Sequence, residues 1–296
     1  MQGPLVVVLH NTAARWPREG RVEVMKFATW NVNSLRARAD RVEDWLDETD
    51  VDVLTIQETK CRDENFPWGM FEMMGYQVAH FGFSQWNGVA IASRVGLEDV
   101  EYGFEGQPEF GKNGVDPVVE ARAISATVGT KNTDVEPFRL HSLYVPHGRS
   151  LEDEHMEYKI RFLDALHKNV TADLDETTRV ALTGDWNIAP YDEDVWDMEY
   201  FLEHGLTHVS EPERAAFRAF EDSGLVDVVR PRHPGPDTYT YWDYQRLRFP
   251  KNQGMRIDFI LASQNLANDV TDAWIDRDER KGDGPSDHVP VVAELG

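Results

Sequence analysis

The chain reads as one α/β domain in which two packed sheets are flanked by helices. Three observations predict this. Short apolar or alternating runs of strand length recur from Met25 to Leu295. Only a few stretches between them show helical spacing. The 296 residues suit one large domain or two small ones, and the absence of a low-complexity linker favours one.

The bulk numbers agree with a folded, water-exposed protein. Hydrophobic residues make up 41% and charged residues 28% of the chain, an ordinary globular composition. Cys61 is the one cysteine, so no disulfide can form within the chain; this favours a reducing compartment and a cytoplasmic location. Cys61 itself reads as a plain structural thiol. No apolar run approaches the ~18 residues of a membrane span. Leu5–Leu9 is too short for a signal-peptide core and no basic segment precedes it. Residues 1–24 carry no clear period and read as an N-terminal extension, disordered or preceding the true start, with the domain spanning 25–296.

The elements follow in order. Met25–Trp30 alternates apolar and small residues as a strand, ended by Asn31-Val32-Asn33. Ser34 is a candidate N-cap for a helix over about 35–48, with Leu35, Val42, Trp45 and Leu46 on one face. Asp52–Gln57 is a second strand, ending in Gln57-Glu58-Thr59-Lys60. Tyr76–Phe81 and Asn87–Ser93 are strand-like. Gly103–Asp116 reads as a surface loop. Val118–Val128 and Phe138–Val145 look like paired strands, the second ending in Tyr144-Val145-Pro146-His147. A helix over about 151–170 follows, with Met156, Ile160, Leu163 and Leu166 at helical spacing. Val180-Ala181-Leu182 then leads into Gly184-Asp185-Trp186-Asn187, a strand-to-loop exit. Pro212 stands near the start of another helix, which Gly224 ends. Leu225–Val229 is short and apolar, Asp237–Trp242 is aromatic-rich, and Met255–Leu261, Val270–Ile275 and Val289–Leu295 are strands.

Polar side chains gather where these strands end. Asn31, Asn33, Glu58, Tyr144, His147, Asp185, Asn187, Asp258, Asp287 and His288 come from six separate segments, and active sites assemble in this manner on rigid sheets. Taken singly, Asn31, Asn33, Asp185 and Asn187 are ordinary turn formers. Asp258, an acid inside an apolar strand, needs a partner. Asp185 and Asn187, two apart in extended backbone, share one face. The set holds carboxylates and amides but no cysteine and no histidine pair at zinc spacing, so it favours Mg²⁺ or Mn²⁺. With a histidine and a tyrosine beside these oxygens it suits phosphodiester hydrolysis by a metal-assisted water.

The formal charge of −23 opposes nucleic-acid binding if spread evenly. It is not even: Tyr244–Ile257 holds Arg246, Arg248, Lys251 and Arg256 with no acid, and Arg36 and Arg38 form a smaller pair. Such clusters are as readily a solvated face as a phosphate track.

Seven segments together carry a resemblance. MKFATWNVNSLRAR (Met25–Arg38), IQETK (Ile56–Lys60), YVPHG (Tyr144–Gly148), GDWNIAP (Gly184–Pro190), YTYWDY (Tyr239–Tyr244), GMRID (Gly254–Asp258) and PSDHVP (Pro285–Pro290) occur in the order seen in the exonuclease III family of abasic-site endonucleases. That family belongs to the DNase I-like endonuclease/exonuclease/phosphatase superfamily. The resemblance implies a four-layered α/β sandwich of largely antiparallel sheets. It implies a metal site with Glu58 as principal ligand, helped by Asp287, Asn33 and Asn31, the last also steadying the phosphate region or the base. Asp185 corresponds to the residue that orients or deprotonates the attacking water, Asn187 to its partner at the phosphate, and His288, oriented by Asp258, to the histidine facing that phosphate. Tyr144 corresponds to the tyrosine assisting the phosphate or leaving group. Tyr241, Trp242, Met255 and Ile257 would line a pocket for a baseless sugar. His147, Arg122, Arg246, Arg248, Lys251 and Arg256 would touch DNA phosphates. Two departures stand out: some relatives carry Asp where Asn33 stands, and an amide is common where His147 stands.

The implied activity is a Mg²⁺-dependent DNA repair nuclease, with Mn²⁺ as a substitute, cutting 5′ to abasic sites in duplex DNA and clearing blocked 3′ ends, with 3′–5′ exonuclease action. A monomer with no membrane partner is expected. The rival readings are a phosphoesterase of the same superfamily acting on RNA, inositol phosphates or phospholipids, and a non-catalytic DNA-binding module.

Overall fold

The computed structural model describes residues 23–111 and 116–296; the extension expected over 1–24 lies almost wholly outside them. Twelve strands follow in chain order: β1 (Met25–Asn31), β2 (Val53–Gln57), β3 (Gln77–Phe81), β4 (Val89–Ser93), β5 (Leu97–Tyr102), β6 (Ala123–Val128), β7 (Phe138–Tyr144), β8 (Val180–Asp185), β9 (Leu225–Asp227), β10 (Asp258–Ser263), β11 (Val270–Ile275) and β12 (Val291–Leu295). The helices are α1 (Ala39–Thr49), α2 (Trp68–Met73), α3 (Glu154–Thr171), α4 (Met198–Glu203), α5 (Glu211–Asp222) and α6 (Gln264–Ala267).

The strands form two six-stranded sheets, ordered β11-β12-β1-β2-β4-β3 and β5-β6-β7-β8-β10-β9. Each sheet has one parallel pair, β1–β2 and β7–β8, and its other pairings are antiparallel. A parallel pair needs a crossover, and α1 and α3 supply the two crossovers. The sheets bury their facing surfaces against each other: Phe27, Val53 and Ile91 from one meet Ile124, Leu140 and Ile260 from the other in one apolar cluster. A second cluster seals α1 and α2 onto the first sheet through Trp30, Trp45 and Phe71. A third seals α3 and α5 onto the second sheet through Phe162, Leu182 and Phe217. The result is the four-layered sandwich, helix on sheet on sheet on helix.

This topology positions the site. The parallel pairs send β1, β2, β7 and β8 toward the same edge, where Asn31 pairs in register with Gln57 and Tyr144 with Asp185. Antiparallel β10 starts at that edge, with Asp258 opposite Asp185. Polar ties join the sheets beneath it: Thr55 Oγ1 lies 2.7 Å from Thr183 Oγ1, and Gln57 Nε2 donates to Ser142 Oγ at 2.9 Å.

Several expected boundaries shift. Ser34 does not cap a helix. It sits at φ 90 and a short 3₁₀ turn, Leu35–Ala37, follows, so α1 starts only at Ala39. The reason is tertiary: Ser34 N–H donates to Glu58 O at 2.8 Å, drawing the segment toward the site. The strand expected from Val118 begins at Ala123, and Val118 makes only a bridge with Phe110. The strand expected from Met255 begins at Asp258, because Met255 bridges to Val195 and Tyr241 instead.

Candidate active site

Asn31 is the hub. It is fully buried at the end of β1, and its Nδ2 donates to Glu58 Oε1 at 3.0 Å and to Asp185 Oδ2 at 2.9 Å. A single amide therefore couples two acids from different sheets. Its Oδ1 accepts from Asn33 N–H at 3.0 Å. Asn31, expected among the metal ligands, turns its NH₂ to the two carboxylates and ties them together.

Glu58 follows β2 in a left-handed conformation, φ 53, as does Lys60, φ 51. Non-glycine residues adopt this region at a cost of about 1–3 kcal/mol where the surroundings impose it. Here Thr59 N–H donates to Gly88 O and Lys60 N–H to Asn87 O. The twist aims both side chains at one spot: Lys60 Nζ lies 2.7 Å from Glu58 Oε2 and donates to Asn33 Oδ1 at 2.5 Å. Burial alone would raise the Glu58 carboxyl, but Lys60 and the Asn31 bond prevail and hold it below its ordinary value. Asn33 in turn donates to Asp287 Oδ1 at 3.0 Å. An ammonium bridging the oxygens of Glu58 and Asn33, with Asp287 adjoining, marks a pocket of oxygen donors that suits a hard cation. The chemistry of this set fits a divalent metal. Carboxylate and ring atoms of Glu58, Asp185 and His288 also lie within 4.8 Å of one another.

Asp185, at the end of β8, is 1% exposed. Asn187 N–H donates to its Oδ1 at 2.9 Å and Asn187 Nδ2 to its Oδ2 at 3.2 Å. Burial pushes its carboxyl upward; nearby His288 opposes, while Asp258 and Glu58 add to the rise, to about 7. His288 Nδ1 donates to Asp258 Oδ2 at 2.9 Å, leaving Nε2 directed to Asp185 Oδ2 at 3.7 Å. Burial disfavours a charged ring, but Asp258 and Asp185 override it and raise His288 to about 10. Thr240 Oγ1 donates to Asp258 Oδ2 at 2.6 Å, a role that nothing in its aromatic sequence surroundings signals.

Tyr144 ends β7 with its hydroxyl bonded to Glu58; burial and the Glu58 charge hold the phenol well above its ordinary value, so it stays protonated. Arg122 lies over its ring at 4.8 Å. His147 is exposed, with its ring edge-on to His208 at 4.7 Å. The Tyr241 ring meets His288 at 4.8 Å.

Other expected residues have different surroundings. Arg256 cannot track phosphate: it is 1% exposed and bonded to Asp194 at 2.7 Å and Asp227 at 2.5 Å. Arg122 is 4% exposed, paired with Glu120 at 2.6 Å, and supports Tyr144 rather than meeting solvent. Trp242 is fully buried among Tyr239, Phe249 and Val289, and Ile257 is buried beside Ala189 and Val195, so neither lines an open pocket. Met255 is also largely buried, which leaves Tyr241 as the partly exposed member of that set. Arg248 is half-buried over the Trp196 ring at 4.7 Å. Arg246 and Lys251 are exposed.

Comparison with known proteins gives a concordant picture. The profile of the Endonuclease/Exonuclease/phosphatase family matches residues 28–288. The sequence is 32% identical over 277 residues to exodeoxyribonuclease III of Haemophilus influenzae, covering 92% of this chain and all of that protein (100%). An AP endonuclease structure from Archaeoglobus fulgidus superposes with a TM-score of 0.81 at 34% identity, covering 91% of this chain and 98% of the other. A 3′ phosphatase from Neisseria, bound to a product DNA hairpin, superposes with a TM-score of 0.82 at 35% identity, covering 92% and 99%.

Proposed function

We infer, from a chain that belongs to the endonuclease/exonuclease/phosphatase family, that this site hydrolyses phosphodiesters in damaged duplex DNA, making the protein a metal-dependent DNA repair nuclease. Cleavage falls 5′ to an abasic site and leaves a 3′-hydroxyl, and the same site clears blocked 3′ ends and digests from them. The carrying observation is the Asn31 amide that joins Glu58 to Asp185, with the Asp258–His288 pair beside them.

Glu58, Asp287 and Asn33 would hold Mg²⁺, with Mn²⁺ as a substitute. When bound, the cation supplies positive charge to the phosphate and the leaving oxygen. The chain's own groups do the rest. Asp185, raised to about 7 by burial, has a strength suited to accepting a proton from water near neutral pH. Asn187, fixed against Asp185 by two hydrogen bonds, orients that water and the phosphate. His288, kept charged by Asp258, presents Nε2 to developing negative charge. Tyr144 offers an O–H donor from the Glu58 side. Tyr241, whose ring meets His288 edge-on, is the remaining candidate wall for a baseless sugar. Arg246 and Lys251 provide exposed positive charge for the DNA backbone, and His147, exposed in the loop after β7, would add a phosphate contact there. No helix among the described residues is long and apolar enough to cross a membrane; we place the protein in the cytoplasm, as a monomer.

The test is cleavage of a duplex with one abasic site, beside a 3′-phosphate duplex, poly(A) and an inositol polyphosphate. Scission 5′ to the lesion with Mg²⁺, abolished by EDTA, is expected. Hydrolysis of poly(A) or inositol polyphosphate in preference to DNA would move the chain to another branch of the superfamily. No hydrolysis of any of them would favour a binding module.

A further inference from the structure

Lys159 and Glu213 form an ion pair in which both side chains are 0% exposed, and the chemistry above does not use them. Lys159 comes from the second turn of α3 and Glu213 from the first turn of α5. Burying such a pair costs desolvation that an apolar pair would avoid, so it is weak evidence for stability alone. Its bonds point elsewhere. Lys159 Nζ donates to Glu213 Oε1 at 2.5 Å, to Asn187 O at 2.5 Å and to His147 O at 3.4 Å. An ammonium has three N–H donors, and all three are spoken for. Two of the acceptors are backbone carbonyls in the loops that follow β7 and β8.

A second donor reaches the same carbonyl. His208 Nδ1 donates to Asn187 O at 2.6 Å, and its backbone N–H donates to Glu213 Oε1 at 3.0 Å. Glu213 Oε2 accepts from Ser210 N–H and from Ser210 Oγ, at 3.1 and 2.6 Å. Asn187 itself is left-handed, φ 52, a conformation that persists where surroundings over-determine it. Its side chain meanwhile bridges Val145 O at 3.0 Å and Asp185 Oδ2 at 3.2 Å. Rotating this peptide would swing the amide off Asp185.

We propose that Lys159, Glu213 and His208 are positioning residues that clamp the loop after β7 to the loop after β8 and thereby set the Asn187 amide against Asp185. The clamp's hydrogen bonds reach Asp185 through Asn187. It rests on the roles of Asp185 and Asn187 inferred above.

The test uses the full chain carrying Lys159→Met with Glu213→Gln, which removes both charges and leaves one amide oxygen that can keep the Ser210 bonds or the His208 bond but not both. On the abasic duplex, kcat should fall about 100-fold, the scale of a roughly 1 Å misplacement, with KM little changed. His208→Gln, a milder change, should lower kcat less, again without raising KM. Arg179→Met serves as the stability control. Arg179 pairs with Asp269 at 2.7 Å, at the far end of β8, so its loss should lower the melting temperature and spare kcat. Wild-type kcat in the double variant overturns the proposal. If the double variant does not fold, wild-type kcat in His208→Gln overturns it. Inactivity of the unmodified protein on DNA would instead overturn the functional reading.

Discussion

On the floor of the site, Asn31, Asp185, Asp258 and His288 are between 0% and 4% exposed, and each makes at least two hydrogen bonds to neighbours in the site. On the rim, the loop after Tyr244 behaves in the opposite way. Leu247 is 68% exposed, Arg246 and Lys251 are exposed, and Arg246 and Leu247 both have positive φ. One bond pattern connects the regions: Tyr244 Oη accepts from Arg38 at 2.9 Å and donates to Pro285 O at 2.9 Å, beside Asp287. The contrast teaches where each kind of work is done. Preorganised, water-poor groups act on charge that develops during reaction. Exposed cations on a surface loop suit a polyanion, whose backbone contacts position without specifying.

The largest expected effect lies on the floor. Asp185→Asn preserves shape and removes the carboxylate proposed to take the proton from water, so kcat should drop about 10²–10⁴-fold while DNA binding by gel shift stays largely intact. Retained kcat would remove Asp185 from the chemistry.

Next comes Asp258→Asn, expected to lower kcat about 100-fold by freeing the His288 ring. It also carries a signature in stability. His288 is raised to about 10, above its ordinary value of about 6.5. A raised histidine contributes stability that is complete below about 6.5 and lost as pH climbs through about 10. Unmodified protein should therefore lose stability across that window, and Asp258→Asn should flatten the loss. Urea unfolding at successive pH values measures it; parallel curves for the two proteins would break the pairing.

The smallest effect belongs to the rim. Arg246→Ala with Lys251→Ala should raise KM and leave kcat alone, and each lost phosphate contact should lower the slope of log K against log salt by about one. Arg256→Met sharpens the contrast: it should destabilise the fold through its broken pairs with Asp194 and Asp227 yet leave the salt slope unchanged. Equal slopes for all variants would deny the rim its role.

The basic stretch shows what a sequence conceals. Arg246, Lys251 and Arg256 look alike along the chain. Only folding brings Asp194 and Asp227, 62 and 29 residues away, against Arg256. Trp242 and Tyr241 are adjacent and both aromatic, yet one is 0% exposed in the core and the other faces His288. Alternation alone does not say which face of an irregular segment meets solvent.

The sequence by itself determined the strand runs, their polar ends, the oxygen-rich character of the site and the motif order that carries the family. These are local properties: side-chain period, composition and spacing survive without knowledge of partners. Tertiary structure decided that one amide from β1 couples acids from two sheets, that Lys60 bridges Glu58 and Asn33, and that Thr240 anchors Asp258. It also decided that a lysine on an amphipathic helix ends among buried loop carbonyls, beside a glutamate 54 residues away. The physical reason is the same in each case. A buried polar group is defined by what satisfies it, and that partner arrives through chain topology, which no local pattern encodes.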